Sequence, residues 1–179
     1  FESARDAYER AVQLEDQVGR VAVKTIEQLA NLEARRGGKL ADQGKHELGL
    51  KLIESGIRRM KALAQTVGGQ GPPAKNAERA GILGSAYKLQ ATALSRLERK
   101  SWSDISAALG EAGRAYQSAV EGDPARKPYN TLNALTLAWL SGTLDQPPRE
   151  AIALARRCGE QARKDFAADL QLSCLLICD

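Results

Sequence analysis

The chain has 179 residues, of which 29 are alanine and 23 leucine, with aromatic residues at 4% and charged residues at 27%. So few aromatics disfavour a β-sandwich or barrel, whereas abundant Ala and Leu suit closely packed helices. The 26 basic and 22 acidic residues leave a net charge of +4, distributed as 12 against 10 in residues 1–70, eight against six in 71–126 and six against six in 127–179.

Apolar residues recur at helical spacing nearly throughout. Ala4, Ala7, Tyr8, Ala11 and Val12 form a first stripe, ending near Asp16 and Gly19. Val21, Ile26, Leu29, Ala30 and Leu32 form a second, which Gly37-Gly38 is expected to close as a helix C-terminal signal. Leu48, Leu52, Ile53, Ile57, Met60 and Leu63 make a third, followed by the loop sequence Gly68-Gly69-Gln70-Gly71-Pro72-Pro73. A fourth helix is predicted from Ala77 to Glu98, burying Ile82, Leu83, Ala86, Tyr87, Leu94 and Leu97. Ser101 with Asp104 three residues on is a capping-box variant opening a fifth. Its stripe of Trp102, Ile105, Leu109, Ala112, Tyr116 and Ala119 stops at Asp123-Pro124. A sixth helix is predicted over Tyr129–Leu140, ending at Ser141-Gly142, and a seventh over Arg149–Lys164 after Pro147-Pro148. An eighth is expected to begin near Phe166. Antiparallel helices with short connections make an all-α array, and no strand pattern is present.

An internal repeat decides the architecture. Ala4-x3-Tyr8-x2-Ala11-Val12-x3-Asp16 returns as Ala112-x3-Tyr116-x2-Ala119-Val120-x3-Pro124, and Leu83-Gly84-x2-Tyr87 precedes the second copy. Small residues at these positions let a neighbouring helix approach, and the tyrosine fills the gap between hairpins. The pattern resembles the tetratricopeptide repeat, with a first helix and turn about 16 residues longer than the 34-residue unit. The stretches Ile26–Arg35, Glu78–Lys88 and Tyr129–Leu137 are similar in order to a bacterial family of tetratricopeptide-like regions in large multidomain proteins. Members are often joined to caspase-like CHAT peptidases or other conflict-system effectors. The last stretch also resembles the helical regulatory region of apoptosis-signal-regulating kinases. The resemblance covers about residues 20–145 and implies a right-handed α-solenoid of antiparallel hairpins with elongated repeats. The expected division is 1–17 as the second helix of a preceding repeat, repeats at 18–73, 74–126 and 127–165, and the start of a truncated repeat at 166–179.

Chemistry-bearing residues are scarce. His46, the single histidine, lies in the polar stretch Asp42-Gln43-Gly44-Lys45-His46-Glu47 and reads as an exposed helix-start residue. No nucleophile motif accompanies it, so no catalytic residue is assigned. Cys158, Cys174 and Cys178 lie in helical patterns and fit reduced, buried thiols of a cytoplasmic protein. Cys174 and Cys178 lack the His or carboxylate partners that a metal site needs, so neither metal nor cofactor is expected. The glycines of 68–73 lack the Lys-Ser/Thr and preceding strand of a phosphate loop. No run of 18 apolar residues exists, so no membrane span is expected. The run Leu170–Cys178 ends without a cap, as in a fragment cut from a longer chain.

Trp102, Tyr8, Tyr87 and Tyr116 at helical spacing read as inter-helix packing rather than a platform for bases. Without a basic stripe or a nucleic-acid motif, nucleic acid or an anionic ligand stands as the alternative partner only. The resemblance implies that first helices line a concave groove, which binds a peptide through polar side chains and apolar pockets. Glu78, Ser85, Lys88, Asn130 and Asn133, with Gln28 and Asn31 on the preceding hairpin, are the expected partner-binding set. The partner would be a protein or peptide, another domain of the same polypeptide included.

Overall fold

A computed structural model describes residues 2–17, 22–67, 73–97, 101–120, 122, 127–146 and 148–168. They form seven helices: α1 (Glu2–Gln17), α2 (Val23–Asp42), α3 (His46–Val67), α4 (Pro73–Ser95), α5 (Trp102–Ala119), α6 (Lys127–Leu140) and α7 (Glu150–Ala168). No strand occurs among the described residues. Helices α2 and α3, α4 and α5, and α6 and α7 pack as successive hairpins, with α1 against α2. The result is an all-α, tetratricopeptide-like solenoid in which α2, α4 and α6 are first helices and α1, α3, α5 and α7 second helices.

The first hairpin rests on close backbone contact. Ala30, Ala34, Gly37 and Ala41 recur at spacings of 4, 3 and 4, so they share one face of α2, and all are buried. They meet Gly49 and Gly56, seven residues apart on α3. A Cβ placed on Gly56 would stand 2.5 Å from the Ala30 carbonyl oxygen, and one on Gly49 2.5 Å from that of Gly37. Gly37 itself lies against the Gly49 backbone and the Ile53 side chain, and Gly38 against Leu89 of α4. The expectation that Gly37-Gly38 ends the helix is therefore corrected. These glycines are interior, kept because a neighbouring backbone occupies the place of a side chain. Helix α2 ends at Asp42, where Gly44 takes φ 83°. Lys45 N–H then reaches the Leu40 carbonyl at 2.9 Å and Gly44 N–H that of Ala41 at 3.1 Å. Both bonds belong to the left-handed helix stop.

Gly142, with φ 79°, ends α6 in the same way, through Thr143 N–H to Ala138 O at 2.9 Å and Gly142 N–H to Trp139 O at 3.0 Å. The capping box at Ser101 forms as expected: Asp104 N–H donates to Ser101 Oγ at 3.4 Å, and Ser101 N–H to Asp104 Oδ2 at 3.3 Å. Helix α4 starts earlier than predicted, at Pro73, a residue suited to a first helical position because it has no N–H to leave unpaired. Residues 68–72, Asp123-Pro124, Pro147, Cys174 and Cys178 lie outside the described residues.

The core runs continuously through the hairpins, from Ala34, Ala41, Ile53 and Ile57 through Ala86, Tyr87 and Ala93 to Ala112, Tyr116, Ala134 and Leu137. Lys61 of α3 sits 5.7 Å from the centroid of the Tyr87 ring of α4. A hydrogen bond to Tyr87, reinforced by the charge interaction, raises the Lys61 pKa. Gly113 of α5 brings that helix against the α6 backbone, with Ala134 O 3.5 Å from where its Cβ would be.

Two large apolar positions of the predicted stripes depart from expectation. Trp102, the first residue of α5, is 62% exposed. Leu48, near the start of α3, is likewise exposed. The break expected before Phe166 is absent, since α7 continues to Ala168. The sequence Glu160–Ala168 holds no Gly or Pro and is rich in helix formers. A truncated repeat therefore does not begin at 166, and residues 169–179 lie outside the described residues.

The glycine seam predicts opposite outcomes for two glycine substitutions. Gly56→Ala should destabilise the fold by about 1–3 kcal/mol, because the added methyl meets backbone. Gly81→Ala, where a Cβ meets open space, should stabilise it by up to about 1 kcal/mol through helix propensity. Urea denaturation of both variants measures the difference.

Candidate interaction face

Successive first helices are joined by polar and charged side chains. Lys24 Nζ of α2 meets Glu78 Oε1 of α4 at 3.0 Å, and Lys75 meets Glu78 Oε2 at 3.1 Å. Arg79 Nε donates to Glu27 Oε1 at 2.6 Å, with Lys24 3.6 Å from the same carboxylate. Beyond the end of α4, Arg96 pairs with Asp42 at the end of α2. The contacts join start to start and end to end, so α2 and α4 run parallel. Their sequence offsets are 54, 52 and 54 residues.

Glu27 is only 2% exposed and Glu33 3%. Glu33 accepts from Arg59 Nε of α3 at 2.9 Å, within the first hairpin. A carboxylate this deep needs a charged partner and hydrogen bonds to offset lost hydration, and each glutamate has an arginine. Glu78 lies nearer solvent. Its hydrogen bond to Lys24, then the bond to Lys75 and both charges, hold its carboxyl below the usual range despite partial burial. The same hydrogen bond to Glu78 raises the Lys24 pKa.

The second joint lies between α4 and α6, around Tyr116 of α5. Tyr116 is 1% exposed, and its ring lies on Gly84, where a Cβ would come within 2.8 Å of Cδ2 and Cε2. Its hydroxyl shares a 2.8 Å hydrogen bond with Ser85 Oγ. Tyr129 meets it edge to face, with centroids 6.0 Å apart. Lys88 Nζ stands 5.2 Å from the Tyr116 centroid and donates to Asn133 Oδ1 at 3.1 Å. Asn133 Nδ2 donates in turn to the Tyr129 carbonyl at 3.0 Å.

The structure thus brings Ser85, Lys88 and Asn133 together at one joint and sets Glu78 at the other. Gln28 and Asn31 are half-buried on α2. Asn130 is different: at 4% exposure its amide donates to the Ala119 carbonyl at 3.3 Å, so it fastens α6 to the end of α5 and is withdrawn from the accessible set. Sequence reasoning missed Glu27, Arg79, Glu33 and Arg59. A signal existed for the α2–α4 pairs: the two copies of the Ala-x3-Tyr motif are 108 residues apart, twice the offset that places equivalent helices side by side.

His46 begins α3, half-buried, and its Nδ1 is buried with no hydrogen-bond partner. Among the described residues no carboxylate accepts from His46 Nδ1. Burial pushes the free Cys158 thiol up, away from a reactive thiolate. Among the described residues no cluster of His, Cys, Asp and Glu is arranged to hold a metal, and no helix is long and apolar enough to cross a membrane.

A family model described as Tetratricopeptide Repeats-Sensor matches residues 1–138, and the chain belongs to that family. No curated protein and no solved structure matches it. Repeat arrays of this type are in general non-catalytic and mediate protein interactions.

Two outcomes follow for the α2–α4 joint. Arg79→Met leaves Glu27 only the more distant Lys24 and should cost up to about 3–5 kcal/mol, most of it recovered in the Glu27→Leu/Arg79→Met double variant; urea denaturation of both reads this. A carboxylate held below its ordinary pKa stabilises the fold above its unfolded value, and that share is lost as pH falls through the folded one. The stability difference between the wild type and Glu78→Gln should therefore be present at neutral pH and vanish as pH falls below about 4.

Proposed function

We propose that this Tetratricopeptide Repeats-Sensor region is a non-catalytic interaction and scaffold module whose binding face is built from α2, α4 and α6. One observation carries the reading. Polar side chains from successive first helices converge at half-buried positions, with Lys88, Ser85 and Asn133 gathered around Tyr116. Polar groups already held in place spend little ordering entropy when a partner arrives. Glu78, Gln28 and Asn31 extend the face across α2 and α4.

The partner in this reading is a protein or peptide segment, another domain of the same polypeptide included. The region serves as the regulatory or partner-sensing part of a larger bacterial, cytoplasmic effector, with a CHAT peptidase among the candidate neighbours on family resemblance. Its repeats divide at 18–73, 74–126 and from 127, with 1–17 closing a preceding repeat. The hairpin pairing of α2 with α3 and of α4 with α5 supports that division. Burial of Tyr87 and Tyr116 removes these two as a stacking platform for bases.

Photo-crosslinking in the full-length protein tests the face. A photoreactive residue at Gln28 or Asn31 should trap a polypeptide segment, and one at Arg58 or Arg114 on second helices should not. Lys88→Ala/Asn133→Ala should then weaken binding of the trapped segment about tenfold, or about 1.4 kcal/mol, with helicity retained. Crosslinks arising only from Arg58 and Arg114 would remove the first helices as the binding face.

A further inference from the structure

Charge windows along the chain show no concentration of basic residues, but the fold sorts charge by helix class. The three first helices together carry eight basic and four acidic residues. The four second helices carry eleven basic and twelve acidic, and α1 alone two against five. Helix hairpins alternate the two classes every twenty residues or so, and a window of fifty or more averages them away. The basic surplus of the helices is therefore carried wholly by the first helices.

Most acidic groups of that side are already engaged. Glu27 and Glu33 are buried against Arg79 and Arg59, and Glu78 is held between two lysines. Asp42, paired with Arg96, remains exposed at the edge. Lys24 and Lys75 keep about half of their side chains in solvent, at 52% and 53%, and Lys39 is exposed. Lys24 and Lys75 thus outnumber Glu78, the one half-buried carboxylate between them, beside amide and apolar groups at Gln28, Asn31 and Ile82.

Resting on the reading of the first helices as the binding face, we infer that its partner is an acidic polypeptide segment, recognised by charge complementarity. A surplus on one face steers an oppositely charged partner to it and repels like charge. Amide side chains and half-buried aliphatics suit backbone and side-chain contacts of a peptide. A polynucleotide would call for aromatics beside the lysines, whereas Tyr87 of α4 is buried and the exposed Trp139 lies at the far end of α6.

The test is fluorescence anisotropy on the full chain with three labelled probes: an Asp/Glu-rich twelve-residue peptide interspersed with leucine, its lysine counterpart, and a single-stranded DNA of twelve nucleotides. The acidic peptide should bind best, and more weakly as salt rises. Lys39→Glu/Lys75→Glu should reduce its affinity about tenfold or more, whereas Lys51→Glu/Arg58→Glu, the same charge change placed on α3, should leave it within about twofold. Circular dichroism confirms that both variants keep their helicity. Equal losses in the two variants, tighter binding of DNA, or no binding of the acidic peptide overturns the inference. If crosslinks from Gln28 and Asn31 still trap a neutral or basic segment, only the acidic character of the partner falls. If those crosslinks fail as well, the binding face falls with it.

Discussion

The close approach of α2 and α3 is the contact on which the rest of the array depends. Ala30, Ala34, Gly37 and Ala41 on one helix and Gly49 and Gly56 on the other leave no side chain between the backbones. Two helices this near exclude water along their length, and dispersion between many atom pairs replaces the large side chains absent from the seam. A low aromatic content is thus compatible with a dense core. The same closeness holds Glu33 within reach of Arg59 and leaves the opposite side of α2 to pack against α4, where Gly38 receives Leu89.

From this hairpin the array is extended by a different kind of contact. Between α2 and α4 the joint is ionic, with Glu27 buried beneath Arg79 and the Lys24–Glu78 pair nearer solvent. Between α4 and α6 it is aromatic and amide, built on Tyr116 with Ser85, Lys88 and Asn133. Buried ionic pairs are poor sources of net stability but costly to leave half-made. They therefore fix which register of α4 on α2 is tolerated. A slip by one residue would separate Glu27 from Arg79 and leave the buried carboxylate without its hydrogen-bonded partner. The side chains that set the register also present the polar face assigned to a partner, so binding and repeat stacking act on the same residues.

The candidate site was legible in part. Lys88 and Asn133 were identified as members of one set from their place on first helices, and the fold joins them directly. Asn130 was grouped with them because polarity and helix position look the same in sequence, whereas Asn130, in the first turn of α6, lies beside the end of α5 and its amide reaches Ala119 O. Glu27 and Glu33 went unnoticed for the opposite reason. A charged residue on an amphipathic helix reads as solvated until the neighbour that covers it is known. Gly37-Gly38 shows the same ambiguity, since a glycine pair suits a helix end and a helix contact equally well. Here the packed neighbours decide, Ile53 of the same hairpin and Leu89 of the next.

What the amino-acid sequence determined by itself was local or periodic. The 3.6-residue spacing established helices, the Ser101–Asp104 box and Gly142 placed two ends, and the returning Ala-x3-Tyr motif identified a tetratricopeptide-like array. Each rests on interactions between residues a few positions apart, or on repetition of them. The tertiary structure alone decided which carboxylates are buried, which glycines are contacts and which helices carry the surplus of +4. Those properties depend on pairings from 12 residues apart, as for Gly37 with Gly49, to 54, as for Lys24 with Glu78, and a charge alternating between helix classes acquires a side only when the hairpins stack.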